Sequence, residues 1–162
     1  MRVQLDGSER RILTELQGNA RLTNQELAER IALSPSPCWR RVRSLEERGV
    51  IRGYVTLLDP RKVGIGESVF CNVTLERHTE GAVERFEMEV MRHPEILECY
   101  AMTGDADYLL RVVVDEVRSY DRFLQEFIFR LPGVANVRSH FALRAVKYDT
   151  ALPLGQFDEQ DP

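Results

Sequence analysis

The chain has 162 residues, is 43% hydrophobic and 30% charged, and carries a net charge of −4, the profile of a globular, soluble protein of one large domain or two small ones. No apolar run approaches the ~20 residues of a membrane span. The three cysteines, Cys38, Cys71 and Cys99, form no CxxC pair and stand apart from His78, His93 and His140, so buried free thiols are expected and neither a metal nor another cofactor is indicated.

The opening "MRVQLDGSERRILTEL" lacks the apolar core of a signal peptide, and a cytoplasmic location is expected. The charge is uneven. Residues 1–53 hold ten Lys/Arg against seven Asp/Glu, and residues 54–162 hold twelve against nineteen. A basic first third on an acidic body suits a chain in which one module meets a polyanion.

Residues 6–52 read as three helices. Asp6 caps the first, whose stripe is Ile12, Leu13 and Leu16 before Gly18. "TNQE" (Thr23 to Glu26) is a capping box opening a second helix of about nine residues, which buries Leu27 and Ile31. A three-residue "ALS" connection leads to the third, so the pair is a helix-turn-helix. Ser34 is its N-cap and Pro35 takes the first helical position, where a missing N–H costs nothing; Pro37 still lies in the first turn. At 100° per residue Cys38, Val42 and Leu45 share one face, with Arg41 on its flank. The opposite face shows Ser36, Arg40, Arg43 and, further along, Glu47, with Trp39 and Ser44 at its edges. Core on one side and cations on the other is the layout of a recognition helix.

After Gly49, residues 50–54 suit a small wing and residues 54–58 a linking strand. Asp59, Pro60, Gly64 and Gly66 mark a boundary. Further on, "SVFCNVTLER" alternates as a strand with Val69, Cys71, Val73 and Leu75 inward. A helix over 80–92 repeats Val83, Phe86, Val90 and Met91. "ILECYAMTG" and "DYLLRVVVD" are two strands around Gly104–Asp107. Residues 117–131 form a helix with Tyr120, Phe123, Leu124, Phe127 and Leu131 on one stripe, and "VANVRSHFALRAVKY" closes with a strand. The order βαββαβ is a ferredoxin-like sandwich. The fold class is therefore α+β: a winged helix-turn-helix (1–53), a linking strand and hinge (54–66), a ferredoxin-like domain (67–150) and a tail (151–162). Phe70, Tyr100, Met102, Leu109, Val113 and Val146 would point away from the helices, an apolar face that asks for a second copy of the chain.

With both halves placed, the chain resembles the Lrp/AsnC (feast/famine) family of transcription regulators. The resemblance rests on "LSPSPCxxRVxxLExxGVI" in its helix-turn-helix setting, then "TGDADYLL", "LPGVANVRSHFAL" and "TALPL", and covers residues 5–153. It implies a linking strand paired between protomers and a ferredoxin-like domain of the RAM type that builds dimers and then tetramers or octamers. It also implies a small effector, usually an amino acid, bound between dimers near "TGDADYLL".

Lys/Arg contacts to phosphates supply affinity for duplex DNA, and base-edge contacts supply specificity. The expected DNA-binding residues are Ser34, Ser36, Pro37, Trp39, Arg40, Arg43 and Ser44. Arg40 and Arg43 have the reach to grip guanine O6/N7 or phosphate, the helix start suits a phosphate oxygen, and Trp39 packs on sugar or a thymine methyl. The bland alternative is a solvated face in which these arginines pair with Glu46 and Glu47. A dimer presents two such helices to a roughly palindromic operator.

For the effector, "GDAD" taken alone is an ordinary hairpin turn. With the resemblance, Gly104 admits a ligand close to the backbone, neighbouring N–H groups meet its carboxylate, and Asp105 or Asp107 accepts its ammonium. Tyr100 and Met102 line a side-chain pocket that favours leucine, methionine, cysteine or a similar uncharged amino acid, and Ser139 offers a hydroxyl from a neighbouring subunit. Asp105, Asp107 and His140 make no enzyme, because no nucleophile–base pair, phosphate loop or metal-spaced cluster accompanies them. A stand-alone amino-acid sensor or protein-interaction module is the alternative, one that would not need the helix-turn-helix.

Overall fold

The computed structural model describes residues 3–76 and 81–154. His78, the expected helix start at residue 80 and the tail beyond 154 lie outside the described residues. The described residues divide into two compact units, one formed by residues 3–56 together with 147–154, the other drawn from residues 57–146.

The first unit holds α1 (Gly7–Gly18), α2 (Asn24–Arg30) and α3 (Pro35–Glu47). Both α1 and α2 open on reciprocal caps. The Asp6 carboxylate accepts the Ser8 and Glu9 N–H groups, both at 2.8 Å, while Glu9 accepts the Asp6 N–H at 3.0 Å. Thr23 and Glu26 repeat the arrangement at 3.2 and 2.7 Å. The Asp6–Glu9 box goes beyond the single cap expected there. At seven residues, α2 is shorter than the nine expected. It stops because Ala32 turns left-handed (φ 56°), which sends the Leu33 N–H back to the Ala28 carbonyl at 2.9 Å and starts the link to α3. Ile12, Leu13, Leu27, Ala28, Ile31, Cys38 and Leu45 form the core, flanked by half-buried Leu5, Leu16, Val42 and Leu154.

Residues 50–66 carry no sheet ladder among the described residues, only a 3-10 turn at Arg61–Val63. The wing and linking strand expected there run as single chain, since strand hydrogen bonds require a second strand. Val55, Leu57 and Leu58 are exposed along that stretch.

The second unit holds β1 (Glu67–Leu75), α4 (Ala82–Arg92), β2 (Ile96–Ala101), β3 (Tyr108–Val114), α5 (Val117–Glu126) and β4 (Val134–Phe141). The sheet is antiparallel in the order β2-β3-β1-β4, the ferredoxin-like topology. Val69, Cys71, Val73, Leu110 and Val112 face the helices and pack on Phe86, Val90, Tyr120 and Phe123. At Gly66 a Cβ would sit 2.7 Å from the Asp115 carbonyl oxygen, so only glycine lets the chain enter β1 this close to the end of β3.

Four expectations need correction. The buried stripe of α4 is Ala82, Phe86 and Val90, a strict i, i+4, i+8 row; Val83 and Met91 fall on its outer side and are exposed. The last strand ends at Phe141, so Val146 lies beyond the sheet and does not share its open face. Cys38 and Cys71 are buried, but Cys99 is exposed, because β2 is an edge strand. The open face is also more polar than expected. Arg111 bonds Glu98 at 2.7 Å in its middle, between the exposed rings of Phe70 and Tyr100.

Candidate functional site

Helix α3 sorts its arginines by partner. Arg41 donates to the Asp6 carboxylate and Arg48 to Glu9, so both clamp α3 onto the capping box of α1. Arg48 also reaches the Gln4 carbonyl at 3.0 Å. The Glu9 N–H and the Arg41 guanidinium together hold the Asp6 carboxyl below the usual carboxylate range. Arg43 lies 5.3 Å over the Trp39 ring while its Nε donates to Glu47 at 3.0 Å, an exposed pair that a phosphate or base edge would have to displace. Glu46 instead accepts the Tyr54 hydroxyl at 3.0 Å, and burial, then Glu46, pushes the Tyr54 phenol up to about 12. Arg40 is exposed and has no hydrogen bond or ion pair among the described residues.

The start of α3 is held from outside. Ser34 has the extended backbone of an N-cap, but its hydroxyl makes no capping bond; the Asn24 side-chain amide donates to the Pro35 carbonyl at 2.8 Å instead. With the Ser34 and Ser36 hydroxyls free among the described residues, donors cluster at the positive end of the helix dipole. Trp39 is 51% exposed, a large ring left in solvent at the edge of the cationic face. Pro37 and Ser44 are half-buried. Asn24 was invisible to periodicity, since its role depends on a residue eleven positions away.

The 102–107 loop joins β2 to β3. The Met102 N–H donates to the Asp107 carbonyl at 2.8 Å, and the Asp107 N–H reaches the Val73 carbonyl at 3.0 Å. The Asp107 carboxylate accepts the Leu75 N–H at 2.7 Å, where β1 shifts register against β4. One oxygen of Asp107 is thus spent on the sheet. The Asp105 carboxylate has no partner among the described residues; only its carbonyl is engaged, by the Thr74 hydroxyl at 3.4 Å. Gly104 takes φ 119°, and the N–H groups from Thr103 to Ala106 meet no acceptor among the described residues. Such a run of free N–H groups suits a carboxylate.

Tyr100 and Met102 are exposed beside this loop, with Tyr100 opposite Leu109 on the face away from the helices. Ser139 is not gathered with them. Its hydroxyl lies 2.6 Å from the Tyr120 hydroxyl, paired in register with Cys71 on the helix side. Among the described residues there is no group of three or more His, Cys, Asp or Glu able to hold a metal, and no helix long and apolar enough to cross a membrane.

A winged helix-turn-helix DNA-binding family model matches residues 5–52, and the Lrp/AsnC ligand binding domain matches residues 68–152. The chain belongs to the Lrp/AsnC family of DNA-binding transcription regulators. It is 41% identical to the leucine-responsive regulatory protein of Escherichia coli over 148 residues, covering 91% of this chain and 90% of that one. With the Bkd operon transcriptional regulator of Pseudomonas aeruginosa it shares 42% over 151 residues, covering 93% and 99%. Among solved structures, a transcriptional regulator from Neisseria meningitidis in complex with L-Met superposes with a TM-score of 0.91 at 41% identity, covering 94% of this chain and 98% of that one. Within this Lrp/AsnC chain, the recognition helix and the glycine-bearing loop therefore belong to different matched domains.

Proposed function

We propose that this regulator reads duplex DNA through Arg40 and Arg43 of α3, and that an uncharged amino acid bound at the 103–107 loop modulates the reading. The observation that carries the first half is the division of labour among these arginines: Arg41 and Arg48 are consumed in fixing the helix, Arg43 is stacked on Trp39, and Arg40 stands exposed with no partner among the described residues. Ser34, Ser36 and the helix start hold a phosphate, Trp39, Pro37 and Ser44 flank the duplex, and Arg40 reaches a base edge.

In the second half, free loop N–H groups take the α-carboxylate and Asp105 takes the ammonium. Asp105 is preferred over Asp107 because Asp107 already accepts the Leu75 N–H. Tyr100 and Met102 meet the side chain, and Ser139 serves only if its bond to Tyr120 opens. Leucine and L-methionine are the first probes, given the names of the relatives. The regulator works in the cytoplasm and catalyses no reaction. The exposed Phe70 and Tyr100 and the unpaired 50–58 stretch are where copies join, so that two α3 helices meet a roughly palindromic operator. A ligand that fits one assembly better than another resets that geometry.

A thermal-shift screen over the twenty amino acids, followed by operator binding with each hit, tests this reading. The expected result is a rise in melting temperature with one or a few uncharged amino acids, each of which alters operator affinity. No hit among the twenty, with operator affinity constant throughout, would overturn the effector half.

A further inference from the structure

The family's ligand-binding match extends to residue 152, yet residues 147–154 group with the helix-turn-helix rather than with the sheet. We propose that α1 carries a docking surface for an extended peptide, and that its occupant is the chain's own segment Ala151–Leu154, which straps the DNA-reading unit shut.

Three observations carry this. The Gln17 side-chain amide engages both backbone groups of Leu152, its Oε1 accepting the Leu152 N–H at 2.6 Å and its Nε2 donating to the Leu152 carbonyl at 3.2 Å. This is the pairing a neighbouring strand would offer, supplied here by one side chain. About two turns earlier on α1, Arg10 donates to the Leu154 carbonyl at 3.2 Å. The Leu154 side chain is half-buried against the core of Ile12, Leu13 and Leu45, whereas Leu152 remains 69% exposed. The surface thus reads backbone at Leu152 and an apolar side chain at Leu154.

The helix-turn-helix is therefore a discontinuous unit, and the sensor is inserted between its two segments. A unit of some fifty residues has little core of its own, so an added leucine and three hydrogen bonds weigh heavily. Both chain exits from the sensor lead into this unit, one after residue 56 and one before residue 147.

Amide hydrogen exchange on the full chain tests the strap without DNA or effector. The Leu152 amide is expected to exchange at least about tenfold more slowly than a free peptide, and Gln17→Ala should release it and speed exchange in α1 while α4 and α5 stay unchanged. A chain truncated after Asp149 should show the same loss in α1, and a synthetic peptide of residues 147–154 added in trans should restore protection. Leu152 exchanging at the free-peptide rate in the parent chain, or α1 protection unaffected by both Gln17→Ala and truncation, would overturn the proposal. A truncated chain that the peptide does not rescue, beside a Gln17→Ala chain with unchanged α1, counts equally against it.

Discussion

Arg41 of α3 donates to the same Asp6 carboxylate that accepts the Ser8 and Glu9 N–H groups at the start of α1. One side chain therefore both begins the first helix and anchors the recognition helix, and the neighbouring Glu9–Arg48 pair repeats the pattern one turn away.

Replacing Asp6 by alanine should cost about 1–2 kcal/mol, the loss of a strong N-cap, with little added for a half-exposed ion pair. The pH dependence follows from the lowered carboxyl of Asp6. As pH falls the unfolded chain takes up this proton first, so the stabilisation is present above about pH 4, the unfolded value, and is lost as pH drops through the lower folded value. Denaturant midpoints of parent and Asp6→Ala chains should differ at pH 7 and draw together as the pH is taken down through the lowered carboxyl of the folded chain. A difference independent of pH would remove Asp6 as a charged cap.

Ala32 holds a left-handed conformation that costs an L side chain about 1–2 kcal/mol, a cost only partly offset by its stiffer unfolded chain. Ala32→Gly is therefore expected to stabilise the protein by roughly 0.5–1 kcal/mol. A lower melting temperature for this variant would contradict the backbone assignment at the helix-turn-helix corner.

Local rules made much of this legible. Thr23–Glu26 was readable because a capping box lies within four residues, and the inward row Val69, Cys71, Val73 and Leu75 because a half-buried strand alternates with period two. What escaped the sequence depends on distant partners. The outer position of Val83 and Met91 follows from how α4 is rolled on the sheet, which an amphipathic stripe fixes only to within a residue or so. Residues 50–58 have strand character but no strand to pair with in one chain. Asp107 differs from Asp105 only because the Leu75 N–H happens to lie beside it, and Gln17 gave no sign that it would hold a segment 135 positions away.

The two loop aspartates should separate experimentally. Asp107→Ala strands the Leu75 N–H and is expected to cost about 1.5–3 kcal/mol of stability. Asp105→Ala should change stability by less than about 0.5 kcal/mol while weakening binding of the amino acid found by thermal shift at least about tenfold, the loss of a charge-assisted hydrogen bond. Equal affinity in Asp105→Ala and parent chains, measured by calorimetry, would take Asp105 out of the ligand site.

Thiol chemistry offers an independent check on burial. Cys38 and Cys71 are fully buried and Cys99 is exposed; burial raises all three thiols, so access to the reagent decides which one reacts. A thiol reagent should label one cysteine per native chain, at Cys99, and none in Cys99→Ser. Rapid labelling of two or three thiols would contradict the two cores.

The central claim is that α3 meets DNA with Arg40, a cation exposed and unpaired among the described residues. The most direct measurement is fluorescence anisotropy of a labelled fragment from upstream of the protein's own gene, titrated with parent and Arg40→Ala chains across a salt series, with random duplex as competitor. The expected result is preferential binding of the fragment that weakens steeply with salt, and a loss of about 1–3 kcal/mol in Arg40→Ala if the residue reads a base, or a salt slope reduced by about one if it grips phosphate. Identical affinity, salt slope and sequence preference in the two chains, or no preference for the fragment by the parent, would contradict it.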